Sequence, residues 1–416
     1  MNNVVGNASQ RCNSKSVNTA DATQECVANY SEPCGKLKIL LLGEYSNVHN
    51  TLAKGLRELG HQVTVASNGD FWKDYPRDID LTRRQGKLGG VALMAKVYAY
   101  LPRWRGYDIV QLINPLFIEL KAERLTSIYR YLRRNNRHMV LGAFGMDWYW
   151  VNECTNRKSL RYSDFNIGTE VRTDPIAQRD QRDWLGTPKG ELNRMIASDC
   201  DAIVTGLYEY DVCYRPHFPQ KTHFIPYPIK SEEVRVSSER LRVDELCSGM
   251  EFATALENSR LKLFVGISRN RSAYKGTDIM LKAAEEVQRR YPNRLEIIKA
   301  EGVPYAKYQK LMDGSDAILD QLYSYTPAMN ALLAMSKGII VIGGGEPENY
   351  AILNENELRP IVNVLPTYDS VYHELEQLIL HPDRIPELKR QSIEYIRRHH
   401  HYIKVARQYE TLYQTL

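Results

Sequence analysis

A chain of 416 residues is long enough for two domains with separate cores, and 43% apolar with 25% charged residues is an ordinary soluble balance. The net charge of +5 is too mild to indicate nucleic acid by itself, and no stretch reaches the ~20 apolar residues of a transmembrane helix. Seven cysteines without repeated spacing, among them Cys154, Cys200, Cys213 and Cys247, read as scattered buried thiols, which suits a reducing cytoplasm.

Residues 1–35 are rich in Asn, Ser and Thr, lack the apolar core of a signal peptide, and read as a flexible polar tail. From Lys36 strands and helices alternate. Leu37–Leu42 is a strand ending at Gly43; a helix from the cap Asn50 to Gly60 and the strand HQVTVAS follow. No acid lies between Asp80 and Asp108, whereas Arg83, Arg84, Lys87, Lys96, Arg103 and Arg105 interleave with apolar residues. That basic amphipathic stretch reads either as a solvated helix face or as a contact with an anionic membrane surface or a lipid-phosphate acceptor. DIVQLIN, a helix around 119–134, HMVLGAFG and CDAIVTG complete the domain 36–230, with the polar segment 146–198 read as an excursion above the sheet. Residues 231–258, charged and irregular, read as a linker.

The pattern restarts over 259–390, with strands at Leu261–Val265, Leu295–Ile298, Ala317–Leu319 and Ile339–Ile342. Helices are expected from Thr277 to Tyr291, from Pro304 to Met312, and from Thr326-Pro327 to the stop at Gly338. Residues 391–416 read as a closing helix. Continuous apolar strands separated by helices mean α/β architecture: two doubly wound, Rossmann-like parallel sheets, with a cleft at the carboxyl ends of the strands.

Two places in the second half suit a diphosphate. In GISRNRSAYKGTDIML the cations Arg269, Arg271 and Lys275 precede a helix start, adding charge to free amides. The helix opened by Thr326-Pro327 is the other. Lys275-Gly276 and, some 60 residues on, Ala334-Met335-Ser336-Lys337-Gly338 resemble motifs of retaining GT-B glycosyltransferases, especially glycosyltransferase family 4. The resemblance covers about 260–350, and the first half in architecture only. It implies a GT-B fold whose C-terminal helix crosses back to the first domain. It also implies transfer of a sugar, with retention, from a nucleotide-diphosphate donor to a glycan or lipid-linked acceptor in polysaccharide or glycoconjugate synthesis. Lys275 with Arg269 or Arg271 would grip the diphosphate, and neither a metal nor another cofactor is needed.

The resemblance has a gap. Counting back from Ala334, the family's two glutamates fall at Tyr325 and Leu333. Asn330, one helical turn before Leu333, or Glu346, past the next strand, is the expected substitute for holding the ribose; the other outcome is a donor site weakened or lost. In the first domain Gly43 lets a ligand approach the backbone, and Asp147 is a candidate for polarising the acceptor hydroxyl or, equally, a helix cap. His49 is a further candidate. The run His399-His400-His401 does not read as a chelator, because consecutive helical residues point apart. The leading reading is a cytoplasmic glycosyltransferase, peripheral on the inner face of the membrane if the basic stretch docks there. A catalytically silent GT-B relative binding a glycan or partner enzyme, and a sugar-nucleotide epimerase of the same fold, are the alternatives.

Overall fold

After its first residue Lys38–Leu42 (β1) is apolar because both of its faces are covered: Leu40 and Leu42 enter one core cluster, Ile39 and Leu41 another. The computed structural model describes residues 35–230, 260–268 and 271–416. The expected tail apart from Gly35, the whole of the expected linker, and Arg269 lie outside the described residues. Val48–Glu58 (α1) leads from β1 to Gln62–Ser67 (β2), and Ile79–Asp80 (β3) and Gly86–Tyr100 (α2) follow. Ile109–Leu112 (β4), Ala122–Asn135 (α3) and His138–Ala143 (β5) come next. The remaining strands of this half are the hairpin Asn166–Ile167 (β6) and Glu170–Val171 (β7), then Ala202–Thr205 (β8) and Thr222–Phe224 (β9). Seven of the strands form a parallel sheet in the order β3-β2-β1-β4-β5-β8-β9. The order reverses direction between β1 and β4, so a crevice opens beyond their carboxyl ends.

The second sheet contains Leu261–Ile267 (β10), Leu295–Glu301 (β11), Ala317–Leu319 (β12), Ile340–Gly343 (β13) and Val362–Asn363 (β14). It too is parallel, in the order β11-β10-β12-β13-β14, with its switch point between β10 and β12. The C-terminal helix Tyr402–Thr415 returns to the first sheet, as expected. His401 bridges Ile229, Tyr413 donates to Gln111 at 2.7 Å, and the helix packs along α1. Buried Tyr409 and Tyr413 make this crossing stable, each aromatic contributing roughly 1.5–3 kcal/mol.

The segment 146–198 is more than an excursion. It contains Trp148–Asn152 (α4), Pro175–Trp184 (α5) and Pro188–Asp199 (α6), and its Trp150, Phe165, Leu192 and Ile196 are core residues. Its polar sequence concealed widely spaced apolar anchors. Helix starts also differ from expectation. Asn47, not Asn50, precedes α1, because the Glu44 carboxylate takes the amides of His49 (3.3 Å) and Asn50 (2.8 Å). The Thr326-Pro327 pair opens no helix; the helix runs Met329–Met335.

Candidate functional site

At the switch point of the second sheet, β10 leads into a single helical turn, Ser272–Lys275, before the helix Thr277–Arg290. Gly276 separates the two with φ +73, and a Cβ there would lie 2.5 Å from Leu322 Cβ. Only glycine fits both the left-handed backbone and the close approach. The Leu322 amide donates to the Lys275 carbonyl at 3.1 Å, so the exit loop of β12 holds the lysine loop in place. Lys275 is half-buried, and desolvation lowers its pKa. Asp320, Arg271, Asp164 and Lys73 surround its charge, the last two from the first domain.

Asp320 follows β12 directly. Its Oδ2 is buried with no hydrogen-bond partner among the described residues. Burial pushes its carboxyl up to about 6, against the pull of Lys275 and of the Gln321 and Ala328 amides. This acid is not among the residues expected from sequence, although its place at a strand end beside the switch point is visible there. Asn330 lies half-buried on Met329–Met335 with its amide toward the Tyr308 hydroxyl, and the Asp320 charge reaches the same phenol. Arg271 is exposed, its guanidinium 5.1 Å from the Tyr274 ring.

The first domain faces this cluster with Lys73, whose ammonium donates to Asp70 (2.6 Å) and Ser46 (3.2 Å). Beside it an aromatic wall crosses between domains. Trp72 meets Tyr305 edge-on at 5.4 Å, Tyr75 and Tyr305 share a hydroxyl contact of 3.2 Å, and Tyr305 stacks along Tyr308. Four aromatics scattered over 72–308 gave no sequence signal.

The second expected anion site is occupied by the protein itself. From Tyr208–Tyr214 (α7), Glu209 inserts a buried carboxylate into the loop 324–326. The Tyr325 amide (2.7 Å), the Thr326 amide (3.0 Å), the Thr326 hydroxyl (2.6 Å) and the Ser324 hydroxyl (2.9 Å) all donate to it. Thr326 is therefore an interdomain clasp, not a ligand contact. Tyr325 is likewise consumed: its hydroxyl accepts from the Arg161 amide at 2.7 Å, and its buried ring lies 4.6 Å from Tyr162. Leu333 packs against the apolar core.

Glu346 does not present itself to a ribose. It is buried and accepts from Arg161 (2.7 Å), the Tyr162 hydroxyl (2.6 Å) and Asn363 (3.3 Å). Arg161 also pairs with Glu348, and Arg172 reaches the Ala273 and Tyr274 carbonyls, so the segment 161–172 is tied to the second domain at two points.

The first-domain candidates turn inward. Asp147 is fully buried: it caps α4 through the Trp150 amide (2.8 Å) and accepts from the Tyr214 hydroxyl (2.7 Å), and burial raises its carboxyl to about 7. Of the two expectations for Asp147 the helix cap is met, and the acceptor contact is not. His49 is a core residue, bonded to the Gly43 carbonyl and near Gln111, and burial drives its pKa down to about 3. At Gly43 the space of a Cβ is filled by the Ile113 side chain and the Phe117 carbonyl, so this glycine serves internal packing, not a ligand. His399 and His400 point apart, to Glu355 and to the Tyr227 carbonyl.

Two Rossmann-like domains facing a cleft, with a closing helix crossing back, define the GT-B fold. No protein-family model matches the chain, and no curated protein sequence matches it. Among solved structures the fold is shared with sucrose-phosphate synthase from Thermosynechococcus elongatus, at 12% identity over 91% of this chain and 98% of that one, TM-score 0.58. It is shared also with Anabaena HepE solved in complex with UDP-glucose, at 12% identity over 91% and 100%, TM-score 0.53. A glycosyltransferase from Rickettsia africae has 11% identity over 92% and 99%, TM-score 0.51. At these identities the likeness is one of fold.

Proposed function

We propose that the chain is a glycosyltransferase that binds a nucleotide-diphosphate sugar in the cleft and passes the sugar to a glycan or lipid-linked hydroxyl, with retention, in polysaccharide or glycoconjugate synthesis. The observation that carries this reading is Lys275: a desolvated ammonium at the switch point of the second sheet, with Asp164 and Lys73 of the first domain beside it. A GT-B structure solved with UDP-glucose gives it context. In the proposed step the bond between the anomeric carbon and the diphosphate oxygen breaks. The acceptor oxygen takes the carbon, and its proton passes to the departing phosphate. Lys275 and Arg271 stabilise the charge gathering on that phosphate, in a cleft where desolvation strengthens the interaction. The Tyr305–Tyr308 wall offers a face for the base, and Asn330 a polar contact for the ribose. The buried thiols Cys154, Cys200 and Cys213 suit a cytoplasmic setting.

A second reading has its own observation. Glu209 fills the 324–326 loop and Arg161 holds Glu346 and Glu348, an arrangement that also suits a silent relative whose cleft is permanently clasped. Calorimetry with UDP-, ADP- and GDP-sugars separates the two. Binding of one donor, weakened in Lys275→Ala, supports the transferase, whereas no binding by the folded parent favours the silent relative. Interconversion of the bound sugar without an acceptor would point to an epimerase.

A further inference from the structure

Helix α2 is apolar on two opposite sides. Gly89, Leu93 and Val97 are buried against the first domain. On the other side Leu88 is 84% exposed, Val91 57% and Tyr98 43%. Their spacing of three and seven residues places them along one outward stripe. A solvated helix normally carries polar residues there, so this stripe costs free energy wherever it meets only water. Its surroundings are cationic. Lys87 and Lys96 on the helix, Arg83 and Arg84 before it, and Arg103 and Arg105 after it are all exposed. No acid lies between Asp80 and Asp108.

We propose that this outer face of α2 docks on an anionic lipid surface, independently of what the cleft binds. Charge chooses that partner: every charged residue between Asp80 and Asp108 is cationic, which complements anionic headgroups while the stripe enters the interfacial layer. No described helix is long and apolar enough to cross a bilayer, so the contact is peripheral.

The test is co-sedimentation of the full chain with phosphatidylcholine vesicles containing or lacking phosphatidylglycerol. The parent should bind the anionic vesicles at low salt and lose affinity as salt rises. Leu88→Ser with Val91→Ser, at exposed positions that leave the core intact, should weaken binding roughly tenfold or more. Lys87→Glu with Lys96→Glu should do at least as much at low salt, with the loss shrinking as salt screens the charges. Failure of the parent to bind anionic vesicles overturns the proposal. So does parent-like binding by the Leu88/Val91 variant. A concentration-dependent dimer abolished by that variant, without vesicle binding, would assign the stripe to a second copy instead.

Discussion

The loops 271–277 and 324–328 belong to one sheet, each leads into a helix, and each reads from sequence as a place for an anion. Their fates differ. The first gathers Lys275 with Arg271, Asp320, Asp164 and Lys73, and is the loop proposed to meet a diphosphate. The second spends its amides and hydroxyls on Glu209, a residue over a hundred positions away. A helix-opening sequence therefore identifies donors but not who receives them. In a two-domain fold the partner can be the opposite domain's own carboxylate, and then the loop is a clasp.

The largest expected effect lies in the clasp. Glu209→Ala leaves two amides and the Thr326 hydroxyl without their acceptor, Ser324 keeping the Thr326 carbonyl, and a loss of about 2–4 kcal/mol is expected when several buried donors lose a partner. Urea unfolding monitors it, and Glu209→Gln, which keeps one acceptor oxygen, should lose less. Unchanged stability together with tighter nucleotide binding in Glu209→Ala would reverse the comparison and make 324–326 the anion site after all.

Lys275→Ala should act on binding instead of folding. A lost charge-assisted contact to phosphate costs roughly 1.5–3 kcal/mol, or one to two decades in the donor dissociation constant. Folding stability should stay level or rise slightly, because the desolvated ammonium is removed. Unaltered donor affinity measured by calorimetry would leave the cationic loop without the role assigned to it.

The same contrast marks what the sequence could disclose. The parallel sheets were legible in apolar runs such as LKILLL and IIVIG, because a strand covered on both faces has little choice of composition. Lys275-Gly276 was legible because its glycine answers two local demands, a left-handed backbone and the approach of Leu322. The acceptor role at Asp147 and the ligand roles at Glu346 and Thr326 do not match the contacts seen, for one physical reason. A polar residue at a strand end is equally fit to meet a ligand or to satisfy the chain's own buried donors, and only the partner's position decides. Here Trp150 with Tyr214, Arg161 with Tyr162, and Glu209 are those partners. Asp320 was overlooked for the converse reason: nothing in its neighbourhood along the chain shows that one oxygen is left unpaired.

That acid gives the smallest effect and the sharpest sign. Without ligand Asp320 gives up its proton near about 6, held above the ordinary carboxyl range by burial. In folding, an acid with a raised folded pKa keeps a proton that the unfolded chain releases. Its contribution to stability is therefore lost as pH rises from about 4 to about 6, and Asp320→Asn should be the more stable protein at neutral pH. In binding, a diphosphate placed at Lys275 adds negative charge beside the same carboxyl and raises its pKa further. The complex then takes up a proton in the window above about 6, and affinity for a nucleotide sugar should fall by up to roughly tenfold as pH rises from about 6 to about 8. Titration calorimetry in buffers of different ionisation heat reads that proton directly. Asp320→Asn should abolish the uptake, flatten the profile and bind more tightly than the parent at about pH 8. A parent with a flat profile, or a variant that retains the uptake, would mean that the diphosphate does not lie beside Asp320. Lys275 would then have to act on some other group, and the contrast between the open loop and the clasped one would lose its chemical meaning.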